Sequence, residues 1–341
     1  MKPIFRTITS LLFVTAFSLP ISAQVFENNY VWHNQDHSAW KIEPADPFGY
    51  VIAGNKFFEP GNTDIYITGF DEFGTHQWTR SHASGFTSLQ TFWKSFVKIP
   101  DGSGYFIASA GIQGGTRKAY GLRVNTHGMK FWDRVSDLPF GIEFGGITNS
   151  INGGYIATGG TNTGTFAVVK FDDLGNVVWA KSLPTSGFGW TVTSAQGGGY
   201  LIAGTRAVVK VNNSGDFEWS TVINLPPSPS GPYTYTEFEE AIKTPDGNAF
   251  IITGSCFSNS HSGIYTAMVS LNGGVTWAKV NDAVNTALAG TPVCWVNNAI
   301  LDTWGTSILT SWRRGPVSAG GTMFYQRMNF AGANIGAITS L

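Results

Sequence analysis

The chain of 341 residues carries 42 Gly, 12 Trp and 25 Phe, and Asp, Glu, Lys and Arg supply only 13% of it, where average chains hold roughly 7% Gly and about 25% charged residues. So little charge excludes a disordered solvating chain, a coiled coil and a nucleic-acid binder, each of which needs far more. With 21 basic and 22 acidic residues the formal net charge is −1, which calls for no polyanionic partner.

The first predicted element is a leader. Lys2 and Arg6 precede an apolar run from Leu11 to Leu19, followed by Pro20 and Ile21-Ser22-Ala23. A basic start, a short apolar centre and a small residue at the exit are the parts of a secretory signal peptide over 1–23, cleaved after Ala23. The run is shorter than the ~20 residues that cross a bilayer, and no later segment is apolar enough to do so. A secreted protein, periplasmic or extracellular, without a membrane span is expected. Next come His33, Asp36 and His37. Histidines four apart can share a metal on one helix face, but this stretch reads as a loop, so a solvated pair is expected, with no metal and no other cofactor.

From there one unit recurs to the end of the chain. Its first half is an apolar strand with small residues, at Tyr50–Gly54, Tyr105–Ala108, Tyr155–Gly159, Tyr200–Gly204, Phe250–Gly254 and Ile308–Ser311. Its second half is an Asp or Asn, a Gly and then a Trp: Asp71, Gly74, Trp78; Asn125, Gly128, Trp132; Asp172, Gly175, Trp179; Asn212, Gly215, Trp219. The fifth reads as compressed, Asn272, Gly274, Trp277, and the sixth, Asn329 and Gly332, has Gly336 where the Trp is due. A period of roughly 50 residues with short β-type runs is that of a propeller blade, and helical periodicity is nearly absent. The expected fold is all-β: a six-bladed β-propeller of four-stranded antiparallel blades, filling 24–341 as one domain and one monomer. In each blade the Asx and Gly close a hairpin, and the Trp covers the gap to a neighbouring blade. The terminal run Asn334–Ile338 is expected to pair with Val25–Trp32 and latch the ring.

The run Gly153–Gly159 together with Val168–Trp179 resembles the repeat of secreted bacterial β-propeller proteins of the Bacteroidetes type, over essentially the whole mature chain. Ser270–Trp277 resembles the Asp-box of sialidases, Ser-x-Asp-x-Gly-x-Thr-Trp, with Asn272 in the Asp place. Sialidases have six blades too, but their Arg triad and Phe-Arg-Ile-Pro motif find no match in the mature chain.

Candidate chemistry is sparse. Paired carboxylates serve glycoside hydrolysis, and Glu237, Glu239 and Asp282 are the acids available for it, Glu237 and Glu239 sharing one face if the strand alternates. The other expectation is binding. Loops from Asn55 to Asp64, Arg80 to Phe92, Asp137 to Phe144, Pro184 to Trp190, Leu225 to Phe238, Phe257 to Gly263 and Trp312 to Gly320 would all emerge on one face. They carry Phe86, Trp93, Phe140, Phe188, Trp190, Tyr233 and Tyr235, which can stack on a sugar or grip a peptide, with Arg313 and Arg314 for an anionic group. The ligand is a glycan or a protein. Cys256 and Cys294 fall on adjacent blades and are placed for a single disulfide.

Overall fold

The recurring apolar runs become the second strands of six separate antiparallel sheets: Tyr50–Phe58, Tyr105–Gln113, Tyr155–Thr161, Tyr200–Gly204, Ala249–Phe257 and Ile308–Arg314. The computed structural model describes residues 37–340 apart from 59–61, 87, 91–93, 227–232, 259–261, 282–293, 302–304 and 315–321. The expected leader, His33, Asp36, Trp93 and Asp282 therefore lie outside the described residues. Strands follow one another in chain order within every sheet. In the second sheet the first strand is split into Ser88–Gln90 and Phe96–Lys98, both paired with Tyr105–Gln113. The chain is all-β, and its six sheets are arranged consistently with a β-propeller.

The second to fifth sheets are apolar on both faces because each packs between two others, and a buried cluster fills each interface between successive sheets. Val51, Ile67, Phe96 and Leu122 join the first sheet to the second. Phe106, Phe144 and Phe171 join the second to the third, Ile156, Val168, Ile202 and Val209 the third to the fourth, and Leu201, Phe238, Phe250 and Tyr265 the fourth to the fifth. Between the fifth and sixth the described cluster is small: Ile251, Ile308 and Met328, with partly buried side chains around it. Thr266, Thr310 and Gln326 line a cavity of about 200 Å³ at that interface.

The turn signature does what its spacing predicts. Asp71 Oδ1 accepts from the amides of Phe73 and Thr75 at 3.0 and 2.8 Å, and Asn125, Asp172 and Asn212 repeat the pair of bonds at 2.8–2.9 Å. Each following Trp lies against the turn glycine of the next sheet: Trp78 on Gly128, Trp132 on Gly175, Trp179 on Gly215, Trp219 on Gly273 and Trp277 on Gly332. Two of the indoles also donate across the gap, Trp219 to the Leu271 carbonyl at 3.1 Å and Trp277 to the Phe330 carbonyl at 2.9 Å. The fifth unit is not compressed. The left-handed glycine is Gly273, at φ +87°, and Ser270 accepts from its amide as Asp71 does from Gly74. Ser270, Gly273 and Trp277 keep the common spacing, with a hydroxyl in place of the Asx group.

A further repeat-wide device was not read from the sequence. In the second, third, fourth and sixth sheets a cation two residues before the Asx reaches back to the turn between the first and second strands. Arg123 donates to Ser103, Lys170 to the Gly153 carbonyl, Lys210 to the Gly198 carbonyl and Arg327 to Ser307. The fifth sheet has Met268 there and the first has Gly69.

Two expectations about the loops change. In the first five sheets the hairpins between second and third strands are short, because strands such as Tyr50–Phe58 and Asn62–Phe70 absorb most of the segment from Asn55 to Asp64, whereas 315–321 of the sixth lie outside the described residues. The segment from Phe257 to Gly263 is shortened in the same way by Ala249–Phe257 and Ser262–Ser270. The C-terminal run forms Asn334–Ser340, fourth strand of the sixth sheet, paired with Thr322–Met328; Val25–Trp32 lies outside the described residues.

Candidate functional site

The first strands share an irregularity that composition and periodicity do not reveal. A shift in register leaves one extra residue in each: Trp40, Gly145, Trp190, Glu239 and Asn297. In the split strand of the second sheet Lys94 pairs instead with Gly146 of the third. A bulge bends its strand and re-aims a side chain. In the strand Tyr235–Lys243 it breaks the alternation on which Glu237 and Glu239 were expected to share a face.

The bulge gathers an unusual set of polar groups. Lys94 reaches from the second sheet to the fifth, where its ammonium donates to the Glu239 carbonyl and pairs with Glu240 Oε2 at 2.5 Å. Glu239 is 5% exposed. Its Oε1 accepts from Ser255 Oγ at 2.7 Å, while Oε2 is buried without a hydrogen-bond partner. Burial pushes the carboxyl up to about 8, against the opposing pull of Ser255 and Lys94. Glu237 is raised as well, by burial, and its Oε1 accepts from the Tyr235 hydroxyl at 2.8 Å. Tyr265, fully buried beneath them, is held neutral first by desolvation and then by the neighbouring Cys256, Glu239 and Glu237.

Above these acids, on the side where the chain crosses from sheet to sheet, a cleft of about 330 Å³ opens between the fourth and fifth sheets, lined by Arg206, Val222, Asn224, Leu225, Tyr233 and Tyr235 among others. The two-residue hairpin Thr205–Arg206 forms one wall. Arg206 is the one non-glycine with a left-handed backbone among the described residues, at φ +60°, a conformation that costs an arginine roughly 1–2 kcal/mol. Its amide donates to the Thr236 carbonyl at 3.2 Å and its guanidinium to the Thr234 carbonyl, so the strained turn is tied to the strand bearing the acids. Tyr235 is 39% exposed, and burial of its hydroxyl pushes the phenol up to about 12.

The other candidate residues fall elsewhere. Phe86 is 2% exposed and packs edge-on against Tyr120 between the first and second sheets. Phe140 covers the cluster between the second and third. Phe188 and Trp190 lie against each other, centroids 4.3 Å apart, half-buried at the joint of the third and fourth sheets. Arg313 and Arg314 end the strand Ile308–Arg314. Buried Cys256 places its sulfur 3.2 Å from the Gly263 carbonyl; the side chain of Cys294, which opens the strand Cys294–Leu301, lies outside the described residues. Of the named candidates, then, the structure joins Tyr233, Tyr235, Glu237 and Glu239 at one place. Lys94 and Arg206 were missed because their roles depend on contacts between separate sheets, and Ser255 because only the bulge in the paired strand turns Glu239 towards it. Only the short link Gly204–Ala207 could have drawn attention to Arg206.

These features define an all-β protein of repeated antiparallel sheets with a polar cluster and a tyrosine-lined cleft at one joint. No protein family and no curated relative matches the chain. Solved structures of similar fold exist at low identity. Sqt1 of Chaetomium thermophilum is 11% identical with a TM-score of 0.50, covering 88% of this chain and 72% of that one. Raptor of the same organism is 10% identical with a TM-score of 0.50, covering 88% of this chain but 25% of its own. A protein of unknown function from Bacteroides caccae is 12% identical with a TM-score of 0.45, covering 73% and 94%. The likeness is one of fold: multi-sheet, all-β and propeller-like.

Proposed function

We propose that this chain is a secreted six-bladed β-propeller of the bacterial repeat type that binds a glycan or protein ligand, without turning it over, in the cleft between the fourth and fifth sheets. Ring closure is supported by Lys94: the second and fifth sheets face each other across a wheel of six, and its ammonium reaches from one to the other. The single observation carrying the binding reading is the cleft itself, where two tyrosines and Arg206 stand around an opening of about 330 Å³, a size and lining suited to a small ligand or a protruding side group. The basic leader and the Ala23 exit carry the secretory reading.

A second reading, a glycan-active hydrolase, is favoured by one observation: a carboxyl raised to about 8 beside another is how a general acid is made. Against it, Glu237 and Glu240 already hold Tyr235 and Lys94, and Glu239 lies under the surface. Residues 24–341 should bind on a glycan or protein array and release no chromophore from a panel of aryl glycosides, and Tyr233→Ala with Tyr235→Ala should weaken binding at least ~tenfold, the worth of about one well-packed aromatic contact. Turnover abolished by Glu239→Gln would replace binding with hydrolysis.

A further inference from the structure

The contact between Lys94 and Glu240 sets the fifth sheet apart from its fellow repeats. At the place Glu240 takes, directly after the bulge, the first, third, fourth and sixth sheets carry Lys41, Gly146, Thr191 and Asn298. Among the described residues it is the one ion pair in which both side chains are less than a fifth exposed, at 17% and 18%. Its partners are 146 residues apart and belong to the second and fifth sheets, which do not follow one another in the chain.

Three contacts prepare this pair for reaction. Lys94 Nζ lies 2.5 Å from Glu240 Oε2, which places an amine nitrogen beside a carboxyl carbon. The Glu239 carbonyl accepts a second proton of the same nitrogen and holds it there. The Ala241 backbone N–H donates to Glu240 Oε1 at 3.3 Å, the oxygen on which negative charge collects when that carbon becomes tetrahedral. The surroundings also favour neutral groups: burial pushes the adjoining Glu239 carboxyl up to about 8. An ammonium and a carboxylate kept largely out of water carry a desolvation cost that a neutral amide does not.

The geometry points to an isopeptide bond between Lys94 Nζ and Glu240 Cδ, formed within the folded chain without an added reagent. Proton transfer along the existing contact turns the ammonium and carboxylate into an amine and a carboxylic acid. The nitrogen then attacks Cδ, so that the Nζ–Cδ bond forms and the Cδ–Oε2 bond breaks. Oε2 leaves as water with two of the three ammonium protons, and the third stays on the amide nitrogen. Nothing is oxidised or reduced, and net charge is unchanged. Holding the two groups in contact supplies the effective concentration that free amines and carboxylates in water lack. The bond closes a loop containing the third and fourth sheets and ties the second sheet covalently to the fifth. It involves no ligand, so it stands or falls apart from the binding reading.

The test is the intact mass of the purified mature chain, denatured and reduced after incubation at neutral pH. It should be one water lighter than its sequence, and protease digestion should release a branched peptide in which Lys94 is joined to Glu240. Lys94→Arg keeps the charge pair but lacks the amine, and Glu240→Ala lacks the carboxyl; both should have the full mass of their sequences. Because closing a long loop narrows the unfolded ensemble, Lys94→Arg should also melt several degrees below the wild type. The wild-type mass and digest decide the matter even where a variant fails to fold. A wild type of full mass, a digest without the branched peptide, or a water loss that persists in Lys94→Arg would each overturn the bond and leave an ion pair only.

Discussion

Replacing Glu239 by Gln should raise the melting temperature above pH 8 and flatten its dependence on pH. The folded protein holds this carboxyl protonated up to about 8, whereas an unperturbed glutamate releases its proton near 4.5. Between those values the unfolded chain has lost a proton that the folded one still binds, so stability is greatest below about 4.5 and falls as pH rises towards 8. Beyond 8 the penalty is complete, on the order of 3–5 kcal/mol for a group so deeply buried. Glutamine keeps the shape and an oxygen for Ser255, and carries no charge to desolvate. Thermal unfolding at pH 5 and pH 9 provides the comparison: the wild type should lose several degrees over that interval and the variant much less. Parallel curves would show that Glu239 does not carry the effect.

The second large effect concerns the joints between sheets. Gly175 and Gly164 both have φ +77°, but a Cβ on Gly175 would meet the Trp132 ring at 2.3 Å, while nothing lies within 4 Å of one on Gly164. Alanine at either costs about 1–2 kcal/mol for the left-handed backbone. At Gly175 it must also lift the indole off the neighbouring sheet, a further cost of roughly 1–3 kcal/mol as in other overpacked sites. Chemical denaturation of the two variants should therefore place Gly175→Ala clearly below Gly164→Ala. Equal midpoints would mean that the indole rests on the turn without contributing to stability.

That pair also shows why so much of the architecture could be read in advance. The Asx group, the glycine and the tryptophan act within a few residues or on the neighbouring unit, and repetition prints the same local chemistry at each copy. The fifth unit misled because two adjacent glycines offered two alignments, and only the backbone angle of Gly273 chose between them. The cations Arg123, Lys170, Lys210 and Arg327 were legible in principle, at a constant distance before each Asx, but charged side chains on strands ordinarily read as solvated.

The sites were less legible. Glu239 was named as an acid, yet its burial, its bond to Ser255 and the reach of Lys94 from the second sheet are tied to a bulge that leaves no mark on composition. Tyr233 and Tyr235 were named with seven others of similar standing, and it took the joint of the fourth and fifth sheets to set them apart.

By itself the amino-acid order determined the all-β class, the repetition of antiparallel sheets, the hairpin turns and the tryptophans at the five described joints, since all of these rest on short-range bonding and alternating burial. The tertiary structure alone decided which polar groups meet. Lys94 and Glu239, 145 residues apart, come together only when separate sheets have packed, and the low polarity of that packed interior then raises the Glu239 carboxyl.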